Sequence, residues 1–486
     1  MTAADDWTWV ERLQRFGVHP GLARTRALLA AFGDPQDAFE IALVAGTNGK
    51  GSTVALLDAM LRADVPRRPR AVGADPAARA PLHGSVGRFV SPHLVRFGER
   101  FTVDGRPLPD AALADALRAV RPHAERLGAT FFEVLVAVAA LAFAAAGVGR
   151  AVLEVGMGGR LDATNASEPT LSVITQIALD HEAVLGPDVA TIAGEKAGVL
   201  RAGRPAVTSA EGVALGVVRA RAAEIGAALE VVDEAGAELR DLGWAGVEVR
   251  GLGPAPIRAP LLGAHQARNL AAAALAARAW GTSWDAVVAG AAAVEWPGRL
   301  ERLEARGVRW LLDGAHNPAG AGALAGALDR LGARPRVAVV GVTDDRLAGD
   351  LPAALGRLAP VLVATRASRS PRAATAASLA DRLRAVGADR LRAVGADRLR
   401  ELGRERLRPA GAGGRGVVAV EDVAEALEAA AALALASADD EPVAATPGVP
   451  AEPGPPTVVV AGSLYLVAEA RALLLGEAPE AFERWQ

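Results

Sequence analysis

Short runs of consecutive apolar residues alternate along this chain with longer runs in which apolar positions recur every three or four residues. The first kind reads as buried strands, the second as helices. Residues 41–44 form the first apolar run, and a helical run at 54–61 opens directly behind a glycine-rich loop. Residues 151–155, bounded by glycine, and 171–179 are the next strand candidates. Helical patterns fall at 7–32 (broken at 17–21), 111–127, 132–146 and 191–200. Further on, 310–313, 336–342, 361–364, 417–420 and 457–461 read as short strands with helical runs between them. Such alternation predicts an α/β fold built on parallel sheets, whose ligands gather at the carboxyl ends of the strands. The glycine loop, Glu154 and Asp180-His181 each follow or close an apolar strand candidate, so one sheet edge is expected to carry all three.

Composition narrows the class. The 486 residues suffice for two domains, and 51% hydrophobic with 22% charged residues is an ordinary globular balance. A net charge of -3 gives no electrostatic case for nucleic acid as a partner. The absence of cysteine excludes disulfides, thiolate metal sites and a cysteine nucleophile. Residues 1–9 are acidic and lack a basic, then apolar, leader pattern. The most apolar stretch, 134–148, is Ala-rich, follows Glu133 and is too short to span a bilayer, so it reads as a buried helix. A soluble, cytoplasmic protein with no membrane partner is expected.

The candidate chemistry centres on Gly46-Thr47-Asn48-Gly49-Lys50-Gly51-Ser52. In a strand–loop–helix context, glycines let backbone N–H groups curl round an anion and the new helix N-terminus adds partial positive charge. Lys50 would reach terminal phosphates and the Ser52 hydroxyl would take one Mg²⁺ position. The first glycine sits closer to Gly-Lys than in G-x-x-x-x-G-K-[ST], so a plain glycine turn with a solvated lysine stays open. Glu154 reads either as a Mg²⁺ ligand or as a buried carboxylate held by an arginine such as Arg160. His181 reads as a ligand or a structural histidine, Ser91 before Pro92 as a turn residue, and Lys196 beside Glu195 as a solvated pair.

These segments also occur in a familiar order. The glycine loop, Ser91-Pro92-His93-Leu94, the run from Glu154 to Asn165, Asp180-His181 and Gly194-Glu195-Lys196-Ala197-Gly198 together resemble the folylpolyglutamate synthase/dihydrofolate synthase family of the Mur ligase superfamily. The likeness continues through Leu262-Gly263-Ala264-His265-Gln266 with Asn269, Trp296-Pro297-Gly298-Arg299, Asp313-Gly314-Ala315-His316-Asn317-Pro318 and Gly462-Ser463-Leu464-Tyr465-Leu466-Val467. The resemblance implies a Mur ligase-like fold: an N-terminal P-loop ATP- and folate-binding domain at 1–297 and a smaller Rossmann-like α/β domain at 298–486. It implies an ATP-dependent ligase that joins L-glutamate to dihydropteroate, to reduced folates, or to both, through an acyl phosphate. The alternatives are a ligase acting on a cell-wall UDP-sugar precursor and a non-catalytic nucleotide-binding relative.

The resemblance also assigns residues. Thr47, Asn48, Gly49, Lys50, Gly51, Ser52, Asn269, Arg299 and Asp313 match ATP-binding positions. Ser52 and Glu154 match one Mg²⁺ site, and Ser91, Glu154 and His181 a second. Lys196 matches a lysine that is carbamylated in this family, and Lys50, Lys196 and His316 are the implied catalytic residues. Thr130, Phe131, Phe132, Leu161, Asp162 and Ala163 match the pterin-receiving region, with Val18, His19, Pro20 and Gly21 expected to line it too. A monomer working on small-molecule substrates is implied. Three stretches depart from the family pattern: a long loop at 64–87, an internal repeat at 380–403, and an Ala/Pro/acid-rich insertion at 436–456. Arg346 also stands where lysine is common.

Overall fold

The computed structural model describes residues 9–10, 12–13, 21–64, 84–386, 408–409, 416–436 and 455–477. Parallel strands covered on both faces need near-continuous apolar sequence, and the first sheet has it. Its central strand, Glu40–Ala45, buries Ile41, Ala42, Leu43, Val44 and Ala45 completely or nearly so. Eight strands lie in the order Arg106–Pro107, Phe101–Val103, Ser85–Phe89, Val148–Glu154, Glu40–Ala45, Leu171–Ile174, Pro205–Thr208, Ala228–Val231. The last six run parallel, and the first two add an antiparallel edge that the apolar pattern does not announce.

Helices cover both faces of this sheet. One apolar layer includes Leu113, Leu117 and Val120 of Asp110–Leu127 and Leu135, Val138 and Phe143 of Phe131–Ala145. The other joins Lys50–Asp64 to the Ala-rich Ala264–Ala279 and to Trp284–Ala292. Local chemistry starts these helices where they start: Glu133 accepts from the Thr130 N–H at 2.7 Å as a capping box, and Ser283 accepts from the Ala286 N–H. A three-stranded antiparallel sheet, Glu238–Asp241, Val247–Arg250 and Ile257–Ala259, precedes Ala264–Ala279.

The second domain is also α/β. Its sheet runs Glu301–Ala305, Val308–Leu312, Thr457–Ala461, Val337–Val340, Val361–Ala364, Gly416–Ala419, Arg408–Pro409, with five parallel strands between two antiparallel edges. Strands Val361–Ala364 and Thr457–Ala461 lie where the pattern predicts them. The strand expected at 171–179 stops at Ile174, because the backbone beyond it turns to pair with the glycine loop. In the stretch expected to be helical at 7–32, the helix Ala23–Ala30 is present, while 14–20 lie outside the described residues. The strand Ser85–Phe89 occupies the end of the expected 64–87 loop. Residues 65–83, most of the 380–403 repeat and nearly all of 436–456 lie outside the described residues. No described helix is long and apolar enough to cross a membrane.

Gly290 of Trp284–Ala292 presses against the backbone of Met60 in Lys50–Asp64, leaving no room for a Cβ. Helix propensity favours alanine over glycine by up to about 1 kcal/mol, whereas overpacking costs about 1–3 kcal/mol. Gly290→Ala is therefore expected to lower the urea-unfolding midpoint. A midpoint at or above the parent value would show that these helices separate at little cost.

Candidate active site

The register of the first sheet sets the site. Val44 lies opposite Glu154 and Ala45 opposite Ile174, so three adjacent strands end at one level. The glycine loop leaves the middle strand there, and the chain after Ile174 stitches onto it. Gln176 O accepts from Thr47 N–H (2.8 Å) and Asn48 N–H (3.2 Å), and Asn48 Nδ2 donates to Gln176 Oε1 at 3.0 Å. Thr175 Oγ1 donates to the Asn48 carbonyl at 2.8 Å, and Thr47 Oγ1 exchanges hydrogen bonds with Ala178. The helix Lys50–Asp64 then starts with Ser52 buried in its first turn.

The second sheet ends on the same space. Asp313, just past Val308–Leu312, accepts from the N–H groups of Leu300 (2.8 Å) and Ala315 (2.9 Å). Asn317 caps Pro318–Arg330 by accepting from Gly320 N–H at 2.8 Å, while its Nδ2 donates across the gap to Asn48 Oδ1 at 3.0 Å. A cavity of about 630 Å³ lies between the domains. Every residue assigned to ATP, metal or catalysis lines it: Thr47 to Ser52, Ser91, Glu154, His181, Lys196, Asn269, Arg299, Asp313 and His316.

Electrostatics distinguishes these groups. Lys196 is buried, and its Nζ donates to the Gly46 carbonyl at 2.8 Å. Lys50 Nζ donates to the same carbonyl at 3.1 Å and to that of Thr47 at 3.2 Å. Burial first, and the nearby Lys50 charge second, bring Lys196 down to about 7. The solvated Lys196–Glu195 pair is thus ruled out, because Glu195 pairs with Arg160 at 2.7 Å. That pairing also rules out Arg160 as the partner of Glu154. Burial pushes Glu154 up, opposed by Lys50, the Ser91 N–H at 3.2 Å, Arg299 and Arg100.

His316 Nδ1 lies 2.8 Å from the Gly314 carbonyl. A carbonyl only accepts, so Nδ1 carries the proton and Nε2 keeps its lone pair. Burial holds the ring below the usual histidine range, which keeps it neutral at pH 7. His181 has a left-handed backbone (φ 51°) at the start of Glu182–Leu185, and burial likewise lowers it.

The residues matched to the pterin region do not line this cavity. They form an adjoining neighbourhood: Gly21 N–H meets the Leu161 carbonyl at 3.4 Å, and the Phe132 ring packs on Gly156, which does line the cavity. Thr130 caps its helix, Phe131 faces the Arg100 guanidinium, and Ala163 lies in the short turn after Asp162. The Asp162 oxygens accept from Met157 N–H and from the Thr164 N–H and hydroxyl, so its carboxylate shapes the Gly156–Met157 wall. Val18, His19 and Pro20 lie outside the described residues.

Several participants were not singled out from sequence. Thr175 and Gln176 back the glycine loop, and Leu239 and Asp241 of the small sheet close part of the cavity. Arg100 is fully buried and donates to His93 Nδ1 (2.8 Å) and Ser91 Oγ (3.2 Å). Only Gln176 has a usable signal, a polar residue that interrupts the apolar run at 171–179.

The fold and this cavity define a two-domain α/β protein whose second domain, over residues 298–443, matches the family described as Mur ligase, glutamate ligase domain. The Bacillus subtilis dihydrofolate synthase/folylpolyglutamate synthase is 35% identical over 356 residues, covering 69% of this chain and 78% of that protein. A Haloferax volcanii relative, named "Probable bifunctional folylpolyglutamate synthase/dihydropteroate synthase", is 36% identical over 365 residues. The chain spans 41% of that relative's length and the same share of its Halobacterium salinarum counterpart. Among solved structures, Mycobacterium tuberculosis folylpolyglutamate synthase complexed with ADP and AMPPCP aligns with TM-score 0.77 at 32% identity, covering 97% of this chain and 99% of that one. Escherichia coli FolC in complex with DHPP and ADP aligns with TM-score 0.75 at 28% identity, covering 98% of both chains. The chain belongs to the folylpolyglutamate synthase/dihydrofolate synthase family.

Gly49 has φ +89°, and a Cβ there would run into the Asn269 side chain. Gly49→Ala is expected to weaken ADP binding at least about tenfold, one decade being about 1.4 kcal/mol. Titration calorimetry checks this, and unchanged affinity would remove the Gly49–Asn269 approach from the nucleotide site.

Proposed function

We propose that this chain is an ATP-dependent ligase that adds L-glutamate to dihydropteroate, to reduced folates, or to both. The observation that carries the reading is the convergence of both sheets on one cavity, with a phosphate-type glycine loop on one wall and Asp313, His316 and Arg299 on the other. A free carboxylate is a poor acyl donor. Transfer of the γ-phosphoryl group to it forms an acyl phosphate and ADP. The glutamate amine then attacks the acyl carbon, the C–O bond to phosphate breaks, and amide and inorganic phosphate are released. Residues 1–297 are read as the ATP- and folate-binding domain and 298–486 as the domain that closes on it, in a cytoplasmic monomer.

The chain's own groups suit these steps. Lys50 and the loop N–H groups would hold the phosphates, and Arg299 would offset charge arriving from the second domain. His316 Nε2, neutral and unprotonated, would take the proton that the attacking amine sheds. The Phe131–Phe132 and Leu161–Ala163 neighbourhood offers an apolar, aromatic surface for a flat heterocycle beside Gly156.

Mg²⁺ fits the donor chemistry. Among the described residues no cluster of three or more His, Asp or Glu side chains would hold a metal unaided. Ser52, Ser91, Glu154 and His181 together with phosphate oxygens form the mixed, oxygen-rich set that Mg²⁺ takes with nucleotides. When bound, the metal supplies positive charge that offsets the phosphates. A carbamate on Lys196 fits as well, since a buried amine lowered to about 7 has a neutral fraction at physiological pH that can add CO₂.

Glutamate-dependent ADP release, compared between dihydropteroate and a reduced monoglutamyl folate, tests the function. Release with both would establish a bifunctional enzyme, and release with one would assign the activity. Release with neither, under conditions where a known ligase works, would favour a UDP-sugar ligase or a non-catalytic nucleotide binder.

Lys196 supplies a second prediction. Its folded-state value lies below that of a free lysine, so the neutral amine gains as pH rises through about 7. Trapping of labelled CO₂ on the protein should therefore increase between about pH 6 and about pH 8. Lys196→Ala should abolish both trapping and ligation, with partial recovery of ligation by short carboxylic acids. Full activity in the unsupplemented variant would sink the role.

A further inference from the structure

Arg346 stands on a turn anchored wholly in the second domain. The short helix Asp344–Leu347 follows Val337–Val340, and its base is tied down by Asp344 N–H to Arg372 O (2.8 Å), Ala374 N–H to Val342 O (2.9 Å) and a bridge between Thr343 and Ala373. The guanidinium nevertheless leaves that domain. Its Nη2 donates to Asp180 Oδ1 at 2.6 Å.

Asp180 belongs to the first domain, on the segment that backs the glycine loop through Gln176 and Ala178. The side chains are 8% exposed for Asp180 and 22% for Arg346, so the pair is substantially withdrawn from water. Its own-domain partners are the His181 N–H at 3.0 Å and the His181 ring at 3.9 Å, with the Lys196 charge nearby. Arg346 also has an alternative on its own turn, Asp345 at 3.5 Å, which is 57% exposed. Both groups therefore keep a partner when the domains part. Separation exchanges a shielded charge pair for a solvated one rather than stranding a buried charge, which makes the contact reversible.

We propose that Arg346–Asp180 is an interdomain latch that favours the closed form, with Arg346 as a positioning residue. It fixes how near Arg299, Asp313 and His316 stand to the glycine loop without touching the reacting atoms. Asn317–Asn48 and Trp244 Nε1–Leu331 O are neutral contacts across the gap, and Arg330–Asp241 is a second ion pair across it, with Arg330 48% exposed; Arg346–Asp180 is the better shielded of the two charge pairs. A lysine here would keep the charge but lose the planar fork that addresses Asp180 and Asp345 from one group.

The kinetic half of the test rests on the ligase reading, and the structural half does not. The chain has no cysteine, so Val213→Cys (66% exposed) and Arg357→Cys, one in each domain, can carry a donor and acceptor dye. Single-molecule energy transfer then reads the closed-to-open ratio with and without ADP. Arg346→Ala should shift that ratio toward open by about 10- to 100-fold, the range of a charge-assisted hydrogen bond. Arg346→Lys should fall between, and Asp180→Ala combined with Arg346→Ala should open no further than either alone. Kinetically, KM for glutamate should rise with kcat largely kept, because saturating substrate re-closes the domains. Matching melting midpoints keep misfolding from producing the shift. An unchanged distance distribution in Arg346→Ala, additive single-variant effects, or a loss confined to kcat would each overturn the latch.

Discussion

Two lysines share one carbonyl oxygen. The Gly46 carbonyl accepts from both Lys50 and Lys196, so their nitrogens stand no more than about 6 Å apart, where like charges repel by about 3 kcal/mol at an effective dielectric of about 20. Two outcomes relieve that repulsion: an anion arrives between them, or one lysine gives up its proton. Lys50 sits at the mouth of the helix Lys50–Asp64, where phosphates would meet it. Lys196 is buried among Asp180, Asp162 and the loop, and it is the one brought down to about 7. Burial first, and the neighbouring Lys50 charge second, thus set Lys196 apart from a residue of the same chemical type at the same carbonyl.

That arrangement needs the strands to end at a common level. Val44 opposite Glu154 and Ala45 opposite Ile174 bring three strand ends together, and a slip of one residue would turn Glu154 to the other face. The loop's backbone would be costly to bury unpaired, and the segment after Ile174 meets that need through Gln176 and Thr175, while Ala178 holds the Thr47 hydroxyl. Asn317 does the equivalent work across the gap. One side-chain oxygen caps a helix in the second domain while its amide reaches Asn48 in the first.

How far the sequence speaks depends on which physical effect places each residue. Strands Val361–Ala364 and Thr457–Ala461 are readable because burial on both faces leaves a continuous apolar run. Glu154 is readable as a strand-end carboxylate for the same reason. The antiparallel edges are short and mixed in polarity, so no periodicity announces Phe101–Val103 or Glu238–Asp241, and Asp241 enters the cavity unforeseen. Arg100 is illegible for a different reason. Its place depends on ring contacts with the nearby Phe97 and the distant Phe131, with Ser91 and His93 as acceptors, a cluster that no helical or strand period marks. The Glu154–Arg160 alternative failed on partner choice, since Glu195 lies closer on an adjoining helix.

Charge balance across the gap then links shape to chemistry. Burial alone would favour protonating Glu154, and two of the cations that oppose this, Lys50 and Arg100, sit in the first domain. The third, Arg299, comes from just beyond the Pro297-Gly298 junction and is shared with Asp313, whose carboxyl burial also pushes up. Parting the domains would withdraw Arg299 from Glu154 while admitting water to the carboxylate, easing the burial that is the larger influence on it. Bringing them together returns Arg299 to Glu154 just as Asp313 and His316 reach the cavity. Arg299 is therefore what closure brings to offset the burial that closure itself deepens, which ties the charge balance around Glu154 to the position of the second domain.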